Sequence, residues 1–193
     1  MNRIPKFLKG SKIYLREVRE SDVNENYYRW MNDYEITRFL EVRYFPLSVE
    51  QITAYVRALD GSRDEIFLAI CDQENDRHIG NIKLGPINWI HGFGDISLLI
   101  GEKGYWGKGV GSEAISLVSA YAFNVLNLNK VKAGCYADNK GSEKAFIKAG
   151  FSREGVLKNQ WRMECGFQDE ILLGLWVRDW IAMQNPNAGC CHV

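Results

Sequence analysis

Apolar positions along this chain change period several times, and each change marks an element. Ile13, Leu15 and Val18 open an alternating, strand-like stretch. Ser21-Asp22-Val23-Asn24-Glu25 then reads as a helix start, with Ser21 as cap and acidic residues in the first turn, and the helix runs to about Trp30. Ser48 stands three residues before Gln51, the spacing of a capping box, and Ile52, Tyr55, Val56 and Leu59 form the apolar stripe of a second helix. The period then shortens. Residues 66–71 and 79–84 are β-rich runs joined by a polar hairpin turn over 72–77. A glycine-rich loop over 85–94 leads to a third run at 96–100. From Ser112 the helical period returns, with Ala114, Ile115, Leu117, Val118, Tyr121, Ala122 and Val125 on one face. A strand over 131–136, a short helix begun by Asn139 and ended by Gly150, and an apolar strand over 171–177 complete the order. In that short helix Ala145, Phe146 and Ala149 face inward.

Helices interrupt the strands without strict alternation. The pattern therefore predicts an α+β (mixed α/β) domain on a mixed sheet, not a doubly wound one. An extension over 1–10, a domain over 11–180 and a flexible tail over 181–193 are expected.

Charge and composition narrow the function. The 193 residues carry 24 Lys+Arg against 24 Asp+Glu, so no global field collects nucleic acid or an anionic membrane. No apolar run is long enough for a leader or a bilayer span. The five cysteines (Cys71, Cys135, Cys165, Cys190, Cys191) are odd in number and contain no Cys-x-x-Cys, which argues for free thiols in a reducing cytoplasm. Cys190 stands four from the end, but polar His192 does not suit a prenylation box. Three histidines (His78, His91, His192) leave little for a histidine triad, and no metal is expected.

The chemistry concentrates between Ile100 and Ala114. Gly101, Gly104, Gly107, Gly109 and Gly111 join a strand to a helix. Glycines let backbone amides turn toward a ligand, and the helix start adds unpaired N–H groups, so the segment suits a pyrophosphate. Lys108 can add a charge and Ser112 a hydroxyl. A dinucleotide fingerprint fails because Ser112 stands at its third glycine, and a P-loop fails for want of Gly-Lys-Ser/Thr.

Trp106-Gly107-Lys108-Gly109-Val110-Gly111 resembles the Gln/Arg-x-x-Gly-x-Gly/Ala loop of the GNAT superfamily of acetyl-CoA-dependent N-acetyltransferases. Asn139-Lys140-Gly141-Ser142 resembles its Asn-x-x-Ser turn, and Gly150-Phe151 with Glu154-Gly155 its Gly-Phe and Glu-Gly signature. Tyr105-Trp106-Gly107-Lys108-Gly109, Ser112-Glu113-Ala114 and Trp30-Met31-Asn32-Asp33 are similar to the branch of ribosomal-protein N-terminal acetyltransferases. The resemblance covers roughly residues 11–178. It implies a GNAT fold, a central twisted mixed sheet of about six to seven strands with about four helices, and acetyl-CoA as co-substrate. It also implies that Leu99, Ile100 and Gly101 pair with the pantetheine amides, that Gly107 to Ser112 hold the pyrophosphate, and that Asn139 bonds the pantetheine arm. Trp106 fills the Gln/Arg slot.

Acetyl transfer to an amine needs a base for the ammonium proton, a donor for the leaving thiolate and a donor for the oxyanion. Asp95, eleven residues before Trp106, matches the catalytic glutamate of the histone acetyltransferase branch and shares a strand face with Ser97 and Leu99. Glu102 is nearer the thioester but is expected to face solvent. Where many relatives carry a tyrosine acid this chain has Phe146, and two glutamates of other branches are replaced by Gly134 and Trp161. Ser142 is the remaining donor.

The acceptor side falls to the first half. Of Tyr27, Tyr28, Trp30, Phe39, Tyr44 and Phe45, four are expected in the core, and the charged segment 38–44 is expected to wall the pocket. Trp30, Arg38, Arg43 and Lys83 are candidate substrate-binding residues. The arginines and Lys83 lean toward a small-molecule amine such as an amino sugar. Residues 78–85 also look like acetyltransferases of surface-polysaccharide sugars. A protein N-terminus and a non-catalytic acyl-CoA sensor are the alternatives, and exposed aromatics allow a homodimer.

Overall fold

The computed structural model describes residues 5–164 and 166–185. Among the described residues eight strands make one sheet: β1 (Leu8–Lys9), β2 (Ile13–Glu17), β3 (Ile66–Asp72), β4 (His78–Asn88), β5 (Phe93–Ile100), β6 (Lys130–Tyr136), β7 (Ser152–Met163) and β8 (Gly166–Trp176). Their spatial order is β1-β2-β3-β4-β5-β6-β8-β7. Every neighbouring pair is antiparallel except β5 and β6, which are parallel. Among the described residues there are six α-helices: α1 (Glu25–Asn32), α2 (Tyr34–Thr37), α3 (Val49–Leu59), α4 (Val110–Asn124), α5 (Lys140–Lys148) and α6 (Val177–Gln184).

The mixed class is the one the sequence predicts, with eight strands where six or seven were expected and six helices where about four were. The additions have physical reasons. Residues 8–9, inside the expected extension, pair with β2 and place Leu8 against the core. Strand β7 escapes the period because nearly all of it is exposed, so its polar residues do not alternate with apolar ones. The expected loop over 85–94 is mostly strand: β4 passes a bulge between Leu84 and Ile87 and continues to Asn88. The cap of α1 is Asn24, whose side chain accepts from the Asn26 and Tyr27 amides, while Ser21 lies in a preceding 3-10 turn. Ser48 and Gln51 form the reciprocal capping box as expected. Val125 lies past the end of α4 and is exposed. Cys71 and Cys135 are buried free thiols. Cys165, Cys190, Cys191, His192 and most of the expected tail lie outside the described residues, and α6 continues to Gln184.

Strand alternation gives the sheet two faces. On the first, Val131, Ala133, Cys135, Ile171, Leu173 and Leu175 pack with α4 and α5. On the second, Tyr14, Ala69 and Cys71 pack with α1 and α3 through Tyr27, Trp30, Ile52 and Val56. The junction of β5 and β6 positions the site. They pair only at Phe93–Lys130, Gly94–Val131 and Asp95–Lys132, after which the two strands part.

Candidate active site

The segment after β5 makes an anion cradle. Trp106 Nε1 donates to the Ile100 carbonyl at 2.8 Å and folds the loop back on the strand end. Gly107 and Gly109 have φ of 73° and 82°, left-handed values that suit glycine. Gly109 caps α4, whose first backbone bond runs from Glu113 N–H to the Gly109 carbonyl. The amides of Val110, Gly111 and Ser112 therefore have no intrahelical acceptor and lie at the positive end of the helix dipole. Ser112 turns its hydroxyl back to the Gly109 carbonyl at 2.9 Å, so it offers the cradle an amide and not the expected hydroxyl. Lys108 stacks on Tyr105.

Two lysines that the sequence does not single out complete the positive rim. A Cβ built on Gly109 would stand 3.6 Å from Lys12 Nζ and 3.7 Å from Lys148 Nζ. Lys12 comes from the β1–β2 turn and its ammonium donates to the Lys108 carbonyl at 2.8 Å. Glu113 on α4 holds that turn by accepting from the Ser11 and Lys12 amides. Neither lysine is near the loop in sequence, so only the fold reveals them.

The edge of β5 facing the split carries free backbone groups. Gly101 N–H donates to the Ile79 carbonyl at 2.9 Å, toward β4. Residues of an antiparallel ladder alternate in sending their groups to the partner, so Leu99 also faces β4 while Leu98 and Ile100 face the split. Of the three residues expected to pair with an extended ligand, Ile100 offers its N–H there, and Leu98 joins it. On the other side of the split, Asn139 caps α5: its Oδ1 accepts from Ser142 N–H at 3.1 Å, which leaves its amide NH2 for a ligand.

The second face of the split is acidic and aromatic. Asp95 has Lys132 Nζ at 2.9 Å. Tyr136 stacks on Trp161 at 5.1 Å between centroids and packs against Phe39 at 5.7 Å. Over this half of the sheet lies a 3-10 turn, Glu41–Tyr44, held by Arg43. Arg43 donates to the Leu40 carbonyl at 2.8 Å, to Tyr136 Oη at 3.0 Å and to the Arg162 carbonyl at 3.2 Å. The result is an open groove lined by Glu41, Tyr44, Phe45, Trp161 and Arg162. Trp161 Nε1 and Gln168 Oε1 are buried with no hydrogen-bond partner among the described residues.

Several expected site residues take other roles. Trp30 is 1% exposed and belongs to the core beside Tyr27 and His78, so it supports the site and does not wall it. Only Tyr27 and Trp30 of the six first-half aromatics are buried; Tyr28, Tyr44 and Phe45 are exposed. Glu102 does not face solvent: Trp30 Nε1, Arg77 and Arg29 surround its carboxylate at 3.2, 2.7 and 3.6 Å. Arg43 is a clasp, Lys83 pairs with Glu65 at 2.6 Å, and Arg38 is exposed over the Phe39 ring. Phe146 is buried against Phe151. Asp95 sits where the strands still pair, whereas Asn139 and Ser142 follow the far end of β6. The four steps from Lys132 to Tyr136 span about 13 Å of strand, so Asp95 and Ser142 lie at opposite ends of the split.

Comparisons with known proteins identify the family and the fold. The family profile described as acetyltransferase (GNAT) domain matches residues 12–152. A probable N-acetyltransferase of Bacillus subtilis, YjcK, is 30% identical over 176 residues, 87% of this chain and 96% of that protein. The spermidine N(1)-acetyltransferase of Escherichia coli is 25% identical, covering 87% of this chain and 83% of that one. The crystal structure of spermidine N-acetyltransferase from Vibrio cholerae, in complex with CoA and spermine, shares the fold with a TM-score of 0.80 at 20% identity, over 89% of this chain and 99% of that one.

Proposed function

The chain belongs to the GNAT acetyltransferase family and is an acyltransferase, and from that premise we propose that it moves the acetyl group of acetyl-CoA to a primary amine of a small cationic molecule. The observation that carries the reading is the second face of the split, where Glu170 lies within the charge influence of Asp95 and Glu41, with Lys132 paired to Asp95, and Tyr136 stacks on Trp161. Carboxylates and aromatic faces together attract ammonium groups. The arginines that would favour a phosphorylated amino sugar are a clasp (Arg43) and an exposed stack (Arg38). Relatives named as spermidine acetyltransferases support the same class of acceptor.

In this reading the amides of Val110, Gly111 and Ser112 with Lys12, Lys108 and Lys148 hold the pyrophosphate. The Ile100 N–H and the Asn139 amide take the pantetheine arm. The amine attacks directly from the second face while both substrates are bound. Ser142, in the first turn of α5, is the donor toward the departing sulfur.

A panel of amines tests this: polyamines, alkyl diamines, amino sugars, and peptides with free N-termini. CoA release and a mass gain of one acetyl group are the readouts. Turnover highest on di- and polyamines is the expected result. A preference for peptides restores the ribosomal-protein branch, and acetyl-CoA binding without turnover on any acceptor restores the sensor.

A further inference from the structure

Gly134 lies on β6 two residues further into the split than Lys132, the register partner of Asp95. Its bare α-carbon is covered from the next strand: a Cβ built there would fall 2.0 Å from Glu170 Oε1. Glu170, opposite Tyr136 in the β6–β8 ladder, thus reaches back along the second face into the volume a side chain at 134 would fill. It is half-buried. Asp95 from β5, Glu41 from the 3-10 turn and Lys132 from β6 are the charges that face it, with the Tyr136 ring beside it and Leu157 of β7 on its other flank. Asp95 has an ammonium at 2.9 Å; Glu170 has no cation within ion-pair distance among the described residues.

Resting on the amine-acylation reading above, we propose that Glu170 is the general base, the group that takes the proton from the acceptor's ammonium. Its place in the split, deeper than Asp95 and free of a salt bridge, leaves a carboxylate oxygen available to the incoming cation. Burial, then the charges of Asp95 and Glu41, push its carboxyl upward, with Lys132 opposing. That direction brings a carboxylate toward the range where it both accepts a proton and gives it back near neutrality. The proton balance closes. The ammonium proton goes to Glu170, and the freed nitrogen lone pair bonds the thioester carbonyl carbon. The C–S bond breaks with its electron pair going to the CoA sulfur. The second nitrogen proton goes to that thiolate, giving the thiol, and Glu170 releases its proton to solvent.

The test uses the full chain with spermidine and 1,4-diaminobutane, measuring kcat/KM from pH 5 to 9 for wild type, Glu170→Gln and Glu170→Asp. Wild-type turnover is read first: none on either amine overturns the cationic-amine reading and this role with it. Given turnover, Glu170→Gln is expected to lose about 100-fold in kcat/KM and to lose the acid limb of the profile, with KM for acetyl-CoA within about twofold. Glu170→Asp is expected to recover part of the rate and keep an acid limb, and it decides the matter if the glutamine variant does not fold. An acid limb unchanged in Glu170→Gln, or activity within about threefold of wild type, overturns the role of Glu170 alone.

Discussion

The indole of Trp30 lies against the α-carbon of Gly101: a Cβ built there would stand 2.1 Å from Trp30 Cδ2 and 2.5 Å from two further ring carbons. The ring cannot give way, because Tyr27 and His78 pack it and Glu102 holds its Nε1 at 3.2 Å. The contact fixes the point where β5 becomes the glycine loop. Gly101→Ala is expected to destabilise by about 1–3 kcal/mol through overpacking, read as a drop in Tm of roughly 2–4 °C per kcal/mol. Its KM for acetyl-CoA is also expected to rise, since Ile100 shifts with its neighbour. An unchanged Tm would show that the ring moves freely.

The cradle proposed for acetyl-CoA separates into backbone and charge. Gly109→Ala places a side chain at φ 82°, where an L-residue costs about 1–2 kcal/mol, and is expected to raise KM for acetyl-CoA while leaving acceptor KM unaltered. Lys12→Ala with Lys148→Ala removes charge while keeping every loop residue, at the cost of the Lys12 hydrogen bond to the Lys108 carbonyl. CoA affinity, measured by calorimetry at two salt concentrations, should fall and lose most of its salt dependence. A double variant with wild-type salt dependence would place the phosphates elsewhere.

Arg43 clasps the half of the split proposed to take the acceptor. Its guanidinium ties the 3-10 turn to Tyr136 and to the Arg162 carbonyl on β7. Arg43→Met is expected to raise acceptor KM by about 10-fold, equivalent to one lost charge-assisted hydrogen bond, with KM for acetyl-CoA unchanged. Steady-state kinetics with each substrate varied in turn would show it. Equal rises in both constants would mean a global loosening.

Much of this was legible in the sequence, for identifiable reasons. The capping box at Ser48, the stripe of α4 and the glycine loop are local signals, and local signals survive in one dimension. Asp95 could be singled out because its strand position is fixed relative to Trp106, and the structure places it beside Lys132 where β5 and β6 still pair. Glu170 could not, because its meaning depends on Gly134, a residue 36 positions earlier on the adjacent strand. Read alone, Gly134 is a missing glutamate; in the fold it is the space a glutamate from β8 fills. Trp30 and Arg43 were placed in the pocket by composition, since aromatic and basic residues near one another look like a binding wall. The structure spends the first on packing and the second on a clasp. Lys12 and Lys148 carry no pattern at all until β2, α4 and α5 come together.

A buried pair sets acid stability. Arg16 donates twice to Asp22, at 2.7 Å each, and Arg19 N–H donates to the same carboxylate at 2.8 Å. Burial pushes the Asp22 carboxyl up, but the Arg16 hydrogen bonds, the Arg19 amide and the Arg16 charge outweigh it and hold the group low. A depressed folded value means the stabilisation is present above the ordinary carboxylate range and is lost as pH falls through the folded value. Asp22→Asn leaves Arg16 buried without its countercharge and is expected to cost about 3–5 kcal/mol at pH 7. The difference from wild type, measured by urea unfolding, should shrink as the pH is taken below 4.

The charges around Glu170 give the sharpest pH test, because two neighbours pull in opposite directions. Activity needs the carboxylate, so kcat/KM falls as pH drops through the Glu170 value. Asp95 raises that value by its negative charge and Lys132 lowers it by its positive one. Asp95→Asn removes the first influence and leaves Lys132 without its 2.9 Å partner, so the acid limb is expected to move to lower pH. Lys132→Met removes the second and should move the limb to higher pH. The two shifts have opposite signs, so the pair of variants brackets the wild-type limb in one pH–rate series. If Asp95 were itself the base, Asp95→Asn would abolish the limb instead of shifting it, and the two roles are told apart by that one curve.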